Sequence, residues 1–461
     1  MADRDVEEAL DERLEEIEDS IGDEPTDAAA EMESAAAPRR FSTRRRLVAW
    51  GMLGVFALAL AYPFFVSPRV RYVFSSVPQI RARDVARAPR TTIPPEALAA
   101  AQDIVRKEVR RSGFPGAALA VGERGRVLVE TGMGRTRWGR LAPPVDADET
   151  LYDLASLTKV VGTTAAVMAL VDDGKMSLDD RVSKYLPHFT GGGREKVTIR
   201  HLLTHTAGLP AAVPVADEGN AGDRLFDLVA HVELISEPGD DVLYSDVGFV
   251  ILGLAAANAA HRPLGAYVRD RVWRPLGMLK TRFEPGLGCS VCAPTLTLED
   301  GTPFAGRTND PFSRELGGIT GNAGLFSTGH DVARFAAMMA NGGALDGVRI
   351  FRESTVRAFM TVQPGAGLRA LGWEAFCREG TQPDHKPCKT PPYAIGHTGY
   401  TGTSIWIDPR RGIWVVLLSN RTYLPKAPNH IRKVRRQLFN VVTGNAPIPV
   451  GAETDTSAER R

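Results

Sequence analysis

The chain from residue 94 onward begins and ends with patterns of helices packed against strands. Residues 94–111 repeat apolar side chains every three or four positions, which predicts an amphipathic helix. Short apolar runs at 117–121 and 126–131 flank a glycine-containing turn, as in a β-hairpin. Three further strands and a last amphipathic helix are predicted at residues 393–397, 403–408, 413–420 and 431–442. Terminal helices around strands predict an α+β domain whose antiparallel sheet the helices cover.

The middle of the chain carries helical rather than strand patterns. Residues 198–210 and much of 224–275 are predicted to be helical, and a glycine-rich stretch at 316–329 leads into a helix at 331–341. This region predicts an all-α lobe beside the sheet. A cleft between two such lobes is a common place for a functional site.

The most distinctive stretch is Asp153-Leu-Ala-Ser-Leu-Thr-Lys159, which precedes a long apolar run ending near Gly174. Ser156 is predicted to lie in the first turn of a buried helix, and Lys159 one turn later on the same face. A serine hydroxyl becomes a nucleophile when a nearby base takes its proton. A lysine in apolar surroundings can have its pKa lowered enough to act as that base. Ser156 and Lys159 are therefore candidate catalytic residues.

The N-terminal region predicts a membrane anchor. Residues 1–46 form an acidic tail with an arginine-rich flank, and 47–66 contain no charged side chain. Twenty apolar residues in a helix span about 30 Å, the thickness of a bilayer core. Residues 67–95 are predicted to be an Arg/Pro-rich linker, 96–445 the large domain and 446–461 a flexible tail. We interpret the chain as a single-pass protein of the bacterial inner (cytoplasmic) membrane, with a cytoplasmic tail of unidentified partner and an extracytoplasmic domain.

The four cysteines favour disulfides rather than a metal site. An even number in a translocated domain is typical of disulfide-bonded proteins. Three connectivities are open, of which the local pairs are the simplest: Cys289 with Cys292 and Cys377 with Cys388. The Cys289–Cys292 spacing also occurs in zinc and redox sites, but no second pair of that spacing accompanies it.

Other candidate ligand motifs are incomplete. His201 and His205 stand four residues apart but lack the glutamate of zinc proteases, so we interpret them as structural histidines. The glycine-rich stretch at 316–329 lacks the Gly-Lys-Ser/Thr of a phosphate-binding loop, which favours a tight loop lining a cleft. The net charge of +1 gives no indication of nucleic-acid binding. We expect no metal, nucleotide or other cofactor.

Three short motifs in this order resemble those of the serine β-lactamase and penicillin-binding protein superfamily: Ser156-Leu-Thr-Lys159, Tyr244-Ser-Asp246 and His397-Thr398-Gly399. The tyrosine in the second motif resembles the branch of class C β-lactamases, D-alanyl-D-alanine carboxypeptidases and related esterases. The resemblance spans about residues 96–445. It implies a five-stranded antiparallel sheet packed by terminal helices beside an all-α lobe.

The same resemblance implies a role for each matching residue. Ser156 would attack a carbonyl, Lys159 would help to remove its proton, and Tyr244 would be the second acid–base group. The backbone N–H groups of Ser156 and Tyr400 would form the oxyanion hole. The segment His397-Thr398-Gly399 would lie against the substrate.

Two positions depart from the superfamily pattern, Asp246 where asparagine is usual and His397 where lysine is frequent. An aspartate beside Lys159 would favour the protonated lysine, so Tyr244 would carry more of the base role. A second hypothesis is that Asp246 pairs with His397 and keeps it cationic. A neutral histidine would offer no fixed cation to a substrate carboxylate.

These features predict a membrane-anchored serine hydrolase that forms an acyl-enzyme on cell-wall peptides, as a D,D-carboxypeptidase does. An esterase or a β-lactamase acting on small esters or lactams is the alternative within the class. A catalytically weak protein that binds cell-wall peptides is the alternative of another class. The intact set of Ser156, Lys159 and Tyr244 favours an enzyme, because binding alone requires no nucleophile.

Overall fold

The computed structural model describes residues 91–215, 219–376, 394–424, 426–428 and 430–444. The predicted tail, the anchor at 47–66 and most of the linker lie outside these residues. Cys377 and Cys388 also lie outside them.

One antiparallel sheet forms the centre of the domain. Its strand order is β10-β11-β12-β13-β1-β2. The bounds are β1 Gly116–Glu123, β2 Arg126–Gly134, β10 Glu374–Phe376, β11 Ala394–Thr398, β12 Ser404–Asp408 and β13 Ile413–Ser419. The implied five-stranded sheet was wrong by one strand, because the short β10 pairs with β11 at the edge. Three residues are too few to show a strand periodicity, and their place in the sheet comes from pairing with a partner distant in sequence.

The sheet is buried on both faces. Along β13, alternate residues belong to two separate apolar clusters, with Ile413, Val415 and Leu417 in one and Trp414, Val416 and Leu418 in the other. The first cluster includes side chains of the two terminal helices, α1 Pro95–Arg110 and α10 Ile431–Thr443. The second includes side chains of the helical lobe. The alternation follows from the two-residue period of a strand, and it makes β13 a central strand of the core.

Eight further helices and several small strands complete the described domain. The α-helices are α2 Ala165–Asp172, α3 Ile199–Leu203, α4 Ala221–His231, α5 Asp246–Ala260, α6 Leu264–Val268, α7 Pro311–Glu315, α8 Gly329–Ala340 and α9 Glu353–Phe359. Helix α8 packs against the sheet. The remaining strands are β3 Tyr152–Asp153, β4 Arg282–Phe283, β5 Leu296–Thr297, β6 Pro303–Phe304, β7 Leu325–Ser327, β8 Ala344–Leu345 and β9 Val348–Arg349. Strands β3, β7 and β4 form a small sheet that leads directly into the Ser156 segment.

Two predicted helices differ from the structure. The helix predicted at 198–210 is only α3 Ile199–Leu203, since His205 adopts a left-handed conformation at φ 57° that no α-helix continues through. The apolar run after Ser156 is helical but not uniformly α: a 3₁₀ turn Ala155–Leu157 and a π-helical segment Lys159–Thr164 precede α2. Such π segments are frequent at functional sites.

Among the described residues, one continuous helical stretch is long and apolar enough to cross a membrane, Ala155–Asp172. It is buried inside the domain and forms part of the lobe's core. A disulfide joins Cys289 to Cys292, the local pairing that the sequence favoured.

Truncation of a central side chain tests this description of the core. Leu417 is fully buried on the face covered by the terminal helices. We expect Leu417→Ala to lower the free energy of unfolding by about 2–5 kcal/mol, because burial is lost and a cavity remains. Urea unfolding of the purified protein measures the change. The matched control is Val127→Ala on the edge strand, where the side chain is 43% exposed. An equal, small loss in both variants would contradict the prediction.

Candidate active site

The segment that carries Ser156 is held in place by Asp153. The buried Asp153 carboxylate accepts the backbone N–H of Ala155 at 2.8 Å and that of Asn309 at 2.6 Å. Ala155 adopts φ 45°, an uncommon conformation for a residue with a side chain. Burial raises the pKa of Asp153 to about 7, although its two backbone donors act in the opposite direction. This carboxyl group therefore fixes the turn that presents Ser156, whose side chain is half-buried.

Lys159 is fully buried and contacts three different parts of the chain. Its Nζ lies 3.1 Å from the Ser156 hydroxyl, 2.5 Å from an Asp246 carboxylate oxygen and 3.2 Å from the Asn322 carbonyl oxygen. Burial lowers the pKa of Lys159, but the charges of Asp246 and Tyr244 outweigh it and hold the pKa above its usual range. Lys159 is therefore an ammonium that donates to its partners at neutral pH.

Helix α5 begins at the second motif. Ser245 caps the helix by accepting the backbone N–H of Gly248 at 2.9 Å. The backbone N–H of Ser245 donates to Nδ1 of the buried His205 at 3.0 Å. The ring of Tyr244 then lies 4.5 Å from that of His205, centroid to centroid. The same cap places Asp246, the first residue of α5, beside Lys159.

The phenol of Tyr244 interacts with both Ser156 and Lys159. Burial raises the pKa of Tyr244, whereas the positive charge of Lys159 partly lowers it. The hydroxyl, the ammonium, the phenol and the Asp246 carboxylate thus form one connected set of polar groups. Such a set can move a proton away from a serine hydroxyl.

The turn after β11 is attached to the Ser156 segment by two threonine hydroxyls. Thr401 Oγ1 donates to the Asp153 carbonyl oxygen at 2.7 Å, and Thr403 Oγ1 donates to that of Leu154 at 2.9 Å. Gly399 permits this approach, since a Cβ there would lie 2.4 Å from the Leu154 carbonyl oxygen. Gly399 and the exposed Tyr400 therefore lie beside the Ser156 segment.

His397 is buried in β11, next to Thr398, and is not paired with Asp246. Its Nδ1 lies 2.9 Å from the Thr398 carbonyl oxygen, so that nitrogen carries a proton and donates. Burial, reinforced by the charges of Lys159 and Arg369, lowers the pKa of His397 to about 3. The hypothesis that Asp246 keeps His397 cationic was wrong, because the Asp246 carboxylate contacts Lys159 and His397 is neutral at neutral pH.

Three residues close to this set of polar groups were missed by the sequence analysis. Asn322, in the glycine-rich loop, accepts a hydrogen bond from Lys159 through its backbone carbonyl oxygen. Its side-chain amide donates to the Asp310 carboxylate at 2.8 Å. The buried Arg369 lies over the Tyr244 ring, 5.5 Å from its centroid. The glycine content of residues 316–329 signals a loop close to a cleft, whereas a single arginine or asparagine gives no such signal.

His201 and His205 act as structural residues. Both accept a backbone N–H through Nδ1, His201 from Thr198 at 3.3 Å and His205 from Ser245 at 3.0 Å. Within the described ranges, no group of three or more His, Cys, Asp or Glu side chains is arranged to hold a metal ion.

Comparison with known proteins identifies the family. The model of the family described as Beta-lactamase matches residues 101–439. A protein of Salmonella schwarzengrund (strain CVM19633), provisionally named D-alanyl-D-alanine carboxypeptidase, is 32% identical over 351 residues, covering 68% of this chain and 81% of that protein.

Two solved structures share the fold. A β-lactamase/D-alanine carboxypeptidase from Pseudomonas syringae superposes with a TM-score of 0.60 at 20% identity, over 77% of this chain and 100% of that one. A penicillin-binding protein homologue from Caulobacter crescentus superposes with a TM-score of 0.60 at 22% identity, over 77% of this chain and 99% of that one. The family match and the Salmonella relative show that the chain belongs to the Beta-lactamase family, within the superfamily of serine β-lactamases and penicillin-binding proteins.

Proposed function

We propose that this protein is a serine hydrolase that forms an acyl-enzyme on Ser156. One observation carries the proposal: the Ser156 hydroxyl lies 3.1 Å from the Nζ of Lys159, which is fully buried. Burying an ammonium costs several kcal/mol unless it is paired, so burial beside a serine is typical of a site built for chemistry. The interaction of the Tyr244 phenol with Ser156 and Lys159 also supports a serine hydrolase.

In the proposed mechanism Tyr244 accepts the Ser156 proton, supported by Lys159. Asp246 keeps Lys159 protonated, so the ammonium donates toward the serine oxygen. Burial holds the pKa of Tyr244 above its usual value and the positive charge of Lys159 partly offsets this, so the phenolate fraction that accepts the proton grows as pH rises. As Ser156 attacks a carbonyl, its proton passes to Tyr244 and then to the leaving group. When the acyl-enzyme is hydrolysed, water attacks the ester carbonyl and gives a proton to Tyr244, which returns it to the Ser156 oxygen as the ester bond breaks.

The oxyanion hole is proposed to consist of the backbone N–H groups of Ser156 and Tyr400. Among the described residues, the Tyr400 N–H, which lies in a turn, donates to no backbone carbonyl oxygen. The Tyr400 N–H belongs to the turn after β11, and the Ser156 N–H belongs to the segment to which Thr401 and Thr403 bind that turn. Donors fixed in place before the reaction are usually the largest electrostatic contribution to acyl transfer.

The proposed substrate is a cell-wall peptide of the D-alanyl-D-alanine type, as the provisional name of the Salmonella relative suggests. His397 and Thr398 would face this substrate. One observation favours a small ester as the second candidate: His397 is neutral, so the position offers no cation to a substrate carboxylate.

We further propose that residues 47–66 anchor the protein in the cytoplasmic membrane with the catalytic domain outside. The support is the uncharged run of twenty residues with an arginine-rich flank before it. The compartment outside the cytoplasmic membrane is oxidising, and a disulfide such as Cys289–Cys292 persists there.

Intact mass tests the acyl-enzyme. We expect purified protein incubated with a penicillin to gain the mass of one drug molecule, because ring opening leaves the drug bound as an ester on Ser156. Ser156→Ala should show no adduct. Ser354→Ala, an exposed serine on α9, is the matched control and should react as the wild type does.

The time course and a second substrate separate the alternatives. A lasting adduct supports a peptidase, and a transient adduct with drug consumption supports a β-lactamase. Hydrolysis of a p-nitrophenyl ester that depends on Ser156, without any penicillin adduct, supports an esterase. Absence of both reactions would contradict the proposed hydrolase and favour a protein that only binds peptides.

Replacement of Asp246 tests the proton path. The Asp246 charge raises the pKa of both Lys159 and Tyr244, so Asp246→Asn should lower both values. The rise of kcat/KM with increasing pH should therefore occur at lower pH in this variant than in the wild type. Ester hydrolysis followed from neutral pH to about pH 11, with the uncatalysed rate subtracted, measures the shift. The control is Asp241→Asn in the same loop, where the side chain is exposed. If kcat/KM of Asp246→Asn depended on pH as it does in the wild type, the proposed role of Asp246 in the proton path would be ruled out.

Cell fractionation tests the anchor. Wild-type protein should remain with carbonate-washed membranes, whereas a variant lacking residues 47–66 should be soluble, because its apolar span is gone. Deletion of residues 2–37 keeps the span and should leave the protein in the membrane. Equal membrane retention with and without residues 47–66 would contradict the proposal.

A further inference from the structure

The C-terminal helix reaches the turn that bears Tyr400 through one half-buried arginine. Arg435 of α10 directs a single nitrogen, Nη2, to the carbonyl oxygens of Gly399 and Thr403, each at 2.7 Å. These two carbonyls stand at the beginning and end of the turn. Among the described residues the guanidinium is hydrogen-bonded to carbonyl oxygens and not to a carboxylate.

Arg435 is an unusual residue for its position. Burial, with the nearby charges of Arg421 and Arg432, lowers the pKa of Arg435 to about 9. Its neighbours Ile431, Val434 and Leu438 belong to the apolar cluster between α10 and the sheet. Placing a guanidinium beside this cluster is costly unless its N–H groups are satisfied. The two carbonyls of the turn satisfy Nη2, whereas Nε is buried without a partner among the described residues.

The peptide between Gly399 and Tyr400 links this contact to the cleft. The peptide is trans, so its C=O and N–H lie in one plane and point in opposite directions. Arg435 draws the Gly399 oxygen toward α10, and the Tyr400 N–H must therefore point away from that helix. The turn makes its own bond to the same oxygen, from the Gly402 N–H at 3.1 Å. The shorter bond from a charged donor is the stronger of the two.

We propose that Arg435 is a positioning residue that sets the direction of the Tyr400 N–H, and so links the C-terminal helix to the oxyanion hole. The inference rests on the proposed function, in which Tyr400 supplies one oxyanion donor. Arg435 does not touch the substrate. It acts by fixing the peptide plane before the reaction, which is what gives oxyanion-hole donors their effect.

The test replaces Arg435 with methionine, which removes the donors and keeps an apolar stem, and separately with lysine, which keeps the charge on a shorter chain. Arg436→Met, an exposed arginine on the same helix, is the matched control. Loss of one oxyanion donor lowers kcat by about 100- to 1,000-fold. We expect kcat/KM for a p-nitrophenyl ester to fall about 100-fold in Arg435→Met and to remain at the wild-type level in the control.

A boronic acid separates positioning from general damage. An arylboronic acid forms a tetrahedral adduct on the serine, and one of its oxygens takes the place of the oxyanion. Its Kd should rise in Arg435→Met by a factor similar to the fall in kcat/KM, measured on folded enzyme counted by active-site titration. A purely structural role would reduce the number of active sites and leave the Kd unchanged. Should the methionine variant fail to fold, Arg435→Lys gives the same two measurements.

The outcomes distinguish the two levels of the proposal. Catalysis and boronic acid affinity within threefold of the wild type in a folded Arg435 variant would overturn the role of Arg435 alone. Wild-type protein without any Ser156-dependent turnover or adduct would overturn the proposed function, and the positioning role with it. A parallel loss in kcat/KM and boronic acid affinity would support both.

Discussion

The buried charge of Lys159 is the interaction on which the site depends. An ammonium without water must be paired, and its partners come from a helix start, a loop and the neighbouring serine: Asp246, Asn322 and Ser156. Removing any of them leaves an unpaired group in the interior. The fold is therefore required to hold the cap of α5 and the glycine-rich loop against the Ser156 helix, and that requirement defines the cleft.

The second constraint is a close approach of backbone to backbone. The turn after β11 lies so near the Ser156 segment that only glycine fits at 399, and Thr401 and Thr403 close the contact with their hydroxyls. Arg435 holds the same turn from the side of α10. The orientation of Tyr400 thus depends on the central sheet, the terminal helix and the Ser156 segment together. A structural change in any of these three elements would alter the orientation of the peptide between Gly399 and Tyr400.

Much of this arrangement could be predicted from the sequence, and the reasons for success and failure are physical. Strand β13 was predicted within one residue, because its apolar positions and flanking turns are local signals. The three motifs predicted Ser156, Tyr244 and His397 as candidate site residues, because such motifs are short stretches of sequence. Strand β10, the loop residue Asn322 and the half-buried Arg435 have no local signature. Their roles arise only from contacts between distant parts of the chain, and an arginine in an amphipathic helix ordinarily indicates a solvated face.

The charge balance of the cleft follows from the same contacts and bears on its substrates. Asp246 neutralises Lys159, and burial keeps His397 neutral, so neither of these groups offers a free positive charge. Arg369 lies over Tyr244, but Glu374 stands 3.7 Å from its guanidinium. A carboxylate in the cleft would have to compete with Glu374 for that cation. Of these three described groups, Arg369 is the one that leaves part of its charge for an anionic substrate, whereas an uncharged ester would need no such exchange.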